Sequence, residues 1–305
     1  GIGDAIPTVL TMTVVPILGA GSSMADYRIG FKWWALIIAV VFVISELVCV
    51  ACVPERPVAG NEKPGKISDM FKALFKNDQA MTVVVSIILV YTSINICGNL
   101  VLYFFRFDVG NEGAYSIFAA VAFAAQVLVM MVIPLLRKRF SKSCLFISGF
   151  IIQIAGFAVI LIMAFAKLYT PQSWYILCLP GILIYLGYGM LNVIMTIFLS
   201  DSVDYGEVMN GTREESVIFS MQTFTVKLAS GVAVFLAGLV VDWIHLDTAA
   251  AVQTQDTLDA LRMWMTIPSV ILLIVGIFVF KRFYRLDDAR MEEIKSKLNS
   301  ENDAG

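Results

Sequence analysis

Charge is the scarcest commodity in this 305-residue chain. Lysine, arginine, aspartate and glutamate together make up 15% of it, against 59% hydrophobic residues. Soluble domains carry about 25% charged residues, so no arrangement of one or two globular cores could hide this much apolar surface. A net charge of −2 leaves no basic footprint for nucleic acid, and the shortage of polar residues excludes a disordered chain. One histidine and five cysteines leave little material for a metal centre, and no His/Asp/Ser constellation suggests an enzyme. Cys49 and Cys52 have redox spacing, but they sit in an apolar run without a strand beside it and read as filler. The expected solvent is lipid.

What is abundant is long apolar runs. A bilayer core about 30 Å thick needs roughly 20 apolar residues in helical form. Eight stretches qualify: Ile6–Ser23, Trp33–Val53, Ala80–Phe105, Ala114–Leu136, Ser143–Ala166, Trp174–Ser200, Ser216–Val241 and Met263–Phe280. None shows the short alternating segments of a membrane barrel. The expected fold class is therefore an all-α integral membrane bundle of eight transmembrane helices.

Basic residues set the orientation. Arg56, Lys63, Lys66, Lys72 and Lys76 follow the second stretch, and Arg137, Lys138, Arg139 and Lys142 follow the fourth. Arg213 follows the sixth, and Lys281, Arg282, Arg285, Arg290, Lys295 and Lys297 follow the eighth. The alternate connections are poor in lysine and arginine. Both ends of the chain are expected in the cytoplasm, with the chain in the cell (cytoplasmic, or inner) membrane. The segment 54–79 reads as a cytoplasmic linker that opens with Pro54, Pro57 and Pro64. It continues as an interfacial helix with Ile67, Met70, Phe71, Leu74 and Phe75 on one face. That linker divides the chain into residues 1–53, with two helices, and residues 80–280, with six. Six helices after a long cytoplasmic loop is the layout of one half of a two-half secondary carrier. Residues 281–305 form a tail in which Met291, Ile294 and Leu298 share a stripe.

Ionisable groups at membrane depth are functional candidates by default. Lys227 lies near the middle of MQTFTVKLASGVAVFLAG, too deep for its side chain to reach an interface. Thr223, one turn earlier, shares its face, and Gln222 adds an amide. This trio could hold the hydroxyls of a sugar or an anion, or Lys227 could instead pair with a buried carboxylate. Glu46 lies in the second stretch without a visible cation and could line a cavity or relay a proton. Asp201 and Asp204 share a face at the end of the sixth stretch, Glu207 extends their row, and Arg213 follows after Asn210-Gly211. Carboxylates oppose the helix dipole at a C-terminus, so this placement suggests an inner gate in which a cation receives them. Gly187-Tyr188-Gly189 permits a close helix approach, and Asn192 follows Tyr188 by one turn. Asn95 and Asn99 stand below Tyr91 on one face of the third stretch and could line a wet cavity.

The segment SDSVDYGEVMNGTREESVIFSMQTFTVK, together with FYRL at Phe283–Leu286, resembles the glycoside–pentoside–hexuronide:cation symporters. This is the melibiose-carrier family of the major facilitator superfamily. Asp201, Asp204, Tyr205, Gly206, Glu207, Arg213, Glu215, Ser216, Ser220, Gln222, Thr223 and Lys227 fit its pattern. The resemblance implies an alternating-access carrier that moves a sugar or glycoside with a sodium ion or proton and needs no cofactor beyond that coupling cation. Lys227, Thr223 and Gln222 fall where the family lines its sugar and cation cavity, and Asp201, Asp204 and Arg213 fall at its cytoplasmic gate. Asn192 stands where melibiose carriers place a stacking tryptophan, which argues against a melibiose-like galactoside. The resemblance aligns this chain with helices five to twelve of twelve, so the first four helices and their cation-binding carboxylates are expected outside it. Glu46 matches none of those carboxylates. A membrane interaction or sugar-sensing protein on the same fold is the alternative.

Overall fold

The computed structural model describes residues 10–11, 14–20, 24–52, 75–211, 215–248, 250 and 252–304. The chain divides into two compact units, residues 1–65 and residues 66–305. Among the described residues, seven helices are long and apolar enough to cross a membrane. Half of the first expected stretch, Ile6–Ser23, and nearly all of the interfacial helix of the linker lie outside the described residues, and so does Arg213.

In the first unit, helix α1 (Met24–Cys52) follows a short helical segment at 14–19. The two pack closely because Gly30 admits the Val15 backbone, and the Trp34 indole donates to the Thr11 hydroxyl at 2.8 Å. Helix α1 begins nine residues before Trp33. Glu46 sits in its last quarter. Its side chain is exposed, like the apolar residues around it.

The second unit holds α2 (Asp78–Tyr103), α3 (Ala114–Leu136), α4 (Lys142–Phe165), α5 (Cys178–Asn210), α6 (Glu215–Trp243), α7 (Gln255–Phe283) and the tail helix α8 (Asp288–Ala304). Each start has a local cause where a cap is present. The side chains of Asn77, Ser141 and Thr254 accept the backbone N–H three residues on, satisfying donors that α2, α4 and α7 would otherwise leave bare. Thr254, with Asp256 in the first turn, starts α7 eight residues before the apolar run, which places Arg262 inside the helix. Helix α5 runs ten residues beyond Ser200 and ends at Gly211, whose φ of +70° is the left-handed cap that residues with a side chain adopt at a cost. Helix α2 is prolonged by a π-helical turn, Phe104–Asp108.

Helices α2, α4, α5 and α7 form the packed centre, with α3 against α5 and α6 against α2. Phenylalanines dominate it: Phe146 touches Phe150, Phe198 and Phe280, and all four are buried. The α4–α5 crossing depends on Gly187. A Cβ there would lie 2.6 Å from both the Gln153 backbone nitrogen and the Gly149 carbonyl oxygen. Helix α6 turns Ala229, Ala233 and Ala237 toward its neighbours, and these small residues at one-turn steps let it lie close to α2. Ser93 and Ser269 donate reciprocally to each other's carbonyl oxygens, at 3.2 and 2.9 Å, and so join α2 to α7. The tail stripe of Met291 and Ile294 is buried with Leu286 against Tyr205, Val208 and Tyr284, and Leu298 joins it at the edge.

Candidate functional site

Three polar layers cross the six-helix unit: one at mid-depth and one at each end. The middle layer holds the only charged side chain in the central third of α2–α7 among the described residues, Lys227. Helix α6 buries Thr225 and Ala229 and turns Thr223 and Lys227 to the exposed side. Beside them, Gln222 Nε2 donates to the Thr196 hydroxyl of α5 at 3.5 Å, a long bond. One turn along α5 from Thr196, Asn192 Nδ2 donates to the Tyr91 hydroxyl of α2 at 2.6 Å. The Tyr91 and Tyr188 rings meet edge-on, with centroids 5.6 Å apart and planes at 80°. Further along α2, Asn95 donates to the Tyr91 carbonyl and Asn99 to the Asn95 carbonyl, each at 2.7 Å. The structure thus brings Lys227, Thr223, Gln222, Asn192, Tyr188, Asn95 and Asn99 onto three adjoining helices, α2, α5 and α6, in their middle turns. Tyr91 and Thr196 join them. Neither carries a charge that would have drawn attention; only Tyr91's position one turn before Asn95 pointed to it. Glu46 belongs to the other unit.

At the end that carries the tail, Asp201 is buried and forms an ion pair with Lys142, the first residue of α4. Asp288, at the start of α8, lies 3.6 Å from the Lys142 ammonium and 3.3 Å from the Arg137 guanidinium. Helices α3, α4, α5 and α8 therefore meet through two carboxylates and two cations. Asn77 ties α2 to the same place by donating to the Ser202 carbonyl at 2.8 Å. Asp204 and Glu207 are half-buried further along α5. A cation does receive Asp201, but that cation is Lys142, 59 residues away in sequence. Counted with its loop, Lys142 looked like an ordinary positive charge for orientation. The Tyr284 phenol nearby is pushed above its usual value, first by burial and then by the negative charges of Asp201 and Asp288.

At the opposite end, Arg262 grips Asp108 with two bonds, Nε to Oδ2 at 2.9 Å and Nη2 to Oδ1 at 2.5 Å. Its Nη1 donates to Asp259 at 2.6 Å, and the Tyr169 hydroxyl donates to Asp108 Oδ2 at 2.5 Å. The Arg262 and Asp108 side chains are 4% and 3% exposed, so the pair is almost fully desolvated. Asp108 reaches it because it ends the π-helical turn, which shifts its side chain off the α-helical register. Burial, followed by the Asp108 charge, raises the Tyr169 phenol above its usual value and keeps it a donor. Among the described residues, no group of three or more histidine, cysteine, aspartate or glutamate side chains could hold a metal ion.

A bundle of membrane-length helices, pinned by ion pairs at both ends and polar around one lysine at mid-depth, has the build of a multi-pass membrane protein. The chain belongs to the family described as MFS/sugar transport protein, whose pattern matches residues 2–288. It is similar to the raffinose carrier protein of Pediococcus pentosaceus, 23% identical over 304 residues, which cover 97% of this chain and 46% of that protein. It is also similar to the isoprimeverose transporter of Lactiplantibacillus pentosus, 23% identical over 99% of this chain and 62% of that protein. A putative glycoside/cation symporter of Escherichia coli, YagG, is 21% identical over 95% of this chain and 60% of its own length. The chain spans between about half and just under two thirds of the length of these relatives.

Proposed function

We propose that this chain is part of a secondary transporter that carries a sugar or glycoside together with a sodium ion or a proton, by alternating access. The observation that carries the reading is the middle layer. Three adjoining helices present amides, hydroxyls and one ammonium in their middle turns, and that ammonium is the only charge in the central third of α2–α7 among the described residues. Such donors and acceptors suit a hydroxyl-dense ligand. The family membership and the names of the relatives, which are a raffinose carrier, an isoprimeverose transporter and a glycoside/cation symporter, support the same class.

In this reading Lys227, Gln222 and Thr223 bind the sugar, and Lys227 also answers to the coupling cation through its charge. The Lys142–Asp201–Asp288–Arg137 layer closes the cytoplasmic end and is broken when that end opens. Asp204, Glu207 and Arg213 belong to the same gate. The distribution of lysine and arginine supports placing that end, and with it α8, in the cytoplasm of a cell whose inner membrane holds the protein.

The test is uptake of labelled raffinose, isoprimeverose and lactose by membrane vesicles containing the full-length protein, driven by a sodium or proton gradient. Wild type should accumulate at least one of them, and Lys227→Gln should abolish gradient-driven accumulation while the protein stays in the membrane. Undiminished accumulation by Lys227→Gln would remove the lysine from the site.

A further inference from the structure

Tyr91 was not among the residues that the sequence singled out for the site, yet the middle layer is organised around it. Its ring is half-buried on α2 and fixed from two sides. Tyr188 meets it edge-on, and Tyr185 meets Tyr188 in the same manner at 6.4 Å and 81°. Its hydroxyl oxygen accepts from Asn192, and its proton can go to the Tyr188 phenol beside it or to a ligand hydroxyl. One turn on, Asn95 uses an N–H on its own helix, and Asn99 repeats this a further turn on. Among the described residues no hydrogen bond reaches the side-chain oxygens of these two asparagines. The result is a ladder of one hydroxyl donor and two amide acceptors at one-turn steps. It extends about 12 Å along α2, at a rise of about 1.5 Å per residue.

That ladder is longer than a single pyranose ring, and it lies on α2, a different helix from the one that carries Lys227 and Gln222. We propose that Tyr91, positioned by Asn192 and continued by Asn95 and Asn99, is the specificity-determining element that reads a second sugar unit, so that the site prefers oligosaccharides of two or more rings over their monosaccharides. This rests on the sugar-transport reading and deepens it. The α6 residues hold one ring, and the α2 ladder holds the next. A site that hydrogen-bonds a ligand hydroxyl discriminates strongly against the ligand lacking it, because its own buried polar groups are then left unpaired.

The competing account is that the Tyr91–Asn192 bond merely fastens α2 to α5. Equilibrium binding to the purified full-length protein separates the two, with raffinose, isoprimeverose and lactose each measured against galactose, glucose and xylose. Wild type should bind at least one oligosaccharide more tightly than its constituent monosaccharides. Tyr91→Phe should weaken that oligosaccharide about tenfold or more, with the monosaccharides unchanged within about twofold. Asn99→Ala should act in the same direction. The Tyr91→Phe/Asn192→Ala double variant should bind no more weakly than Tyr91→Phe, because Asn192 works through the hydroxyl that the first substitution removes. Equal weakening of both ligand classes, or none, overturns the proposal, and so does a wild type that prefers monosaccharides. A wild type that binds none of the six sugars overturns the transport reading beneath it. A binding wild type with an unaltered Tyr91→Phe overturns the ladder alone.

Discussion

Replacing Arg262 by methionine gives the sharpest test of how the bundle is held. The substitution keeps an unbranched side chain of similar reach and deletes the guanidinium. It leaves Asp108, 3% exposed, with one neutral donor, Tyr169, in place of two charge-assisted bonds and a counter-ion. Breaking one partner of a desolvated pair costs about 3–5 kcal/mol, because the remaining charge stays buried and uncompensated. At about 2–4 °C per kcal/mol for a unit of this size, the midpoint of thermal unfolding should fall on the order of 10 °C. Replacing both members, as Arg262→Met with Asp108→Leu, removes the orphaned charge and should recover most of the loss, since apolar replacement of a whole buried pair is often neutral or stabilising. The assay is the surviving monodisperse fraction after heating in detergent, measured for wild type, the two single variants and the double. An Arg262→Met protein within about 1 kcal/mol of wild type would show that the pair is not the desolvated clasp its geometry describes.

Other consequences follow from single positions. Gln153 is fully buried with neither amide atom hydrogen-bonded among the described residues, so Gln153→Met should raise the unfolding midpoint, by about 1–3 kcal/mol of relieved desolvation. A loss of stability would instead reveal an ordered water satisfying the amide. Gly187→Val should destabilise by several kcal/mol or prevent assembly, because its Cβ would press on backbone atoms of α4 that cannot rotate away. Normal expression and stability would contradict the close crossing. The Tyr284 hydroxyl is also buried without a hydrogen-bond partner among the described residues, and the folded protein holds its phenol above the usual value of about 10. The neutral form is thus the favoured one in the fold. This contribution is intact below pH 10 and is lost as pH rises toward and through the folded value, so stability should decline in strong alkali. Tyr284→Phe should be at least as stable as wild type at pH 7 and should soften the alkaline decline.

How far the residues announced this arrangement differs from layer to layer. Helix existence was legible because lipid solvation forces apolar runs, and Lys227 stood out against them. The tail stripe of Met291, Ile294 and Leu298 was legible for the same reason, as a period of three to four. Boundaries were less so. Helix α7 starts where Thr254 caps it, not where the apolar run begins, and α1 extends back past Arg28 and Lys32. The clasps were hidden altogether. Lys142 finds Asp201 across 59 positions and Arg262 finds Asp108 across 154, and no local pattern encodes either meeting. The π-helical turn that delivers Asp108 has no compositional signal in Phe-Phe-Arg-Phe-Asp. In the middle layer, Tyr91 was masked by resembling any other membrane-helix aromatic until Asn192 was seen bonded to it.

Helix α5 is 33 residues long with no proline after Pro180, an uninterrupted rod of about 50 Å, far longer than a bilayer core about 30 Å thick. Asn192 sits near its centre and Asp204 about 18 Å further along it, at about 1.5 Å per residue. A rod of this kind converts angle into displacement. A tilt of about 10° around the level of Asn192 would carry Asp204 sideways by about 3 Å and Asp201 by about 2 Å, enough to part the Asp201–Lys142 ion pair, while the ring of Tyr188 hardly moves. The stiffness of one uninterrupted helix is thus a mechanical transmission: small rotations where a ligand would sit become ångström-scale strokes among the charges at the far end.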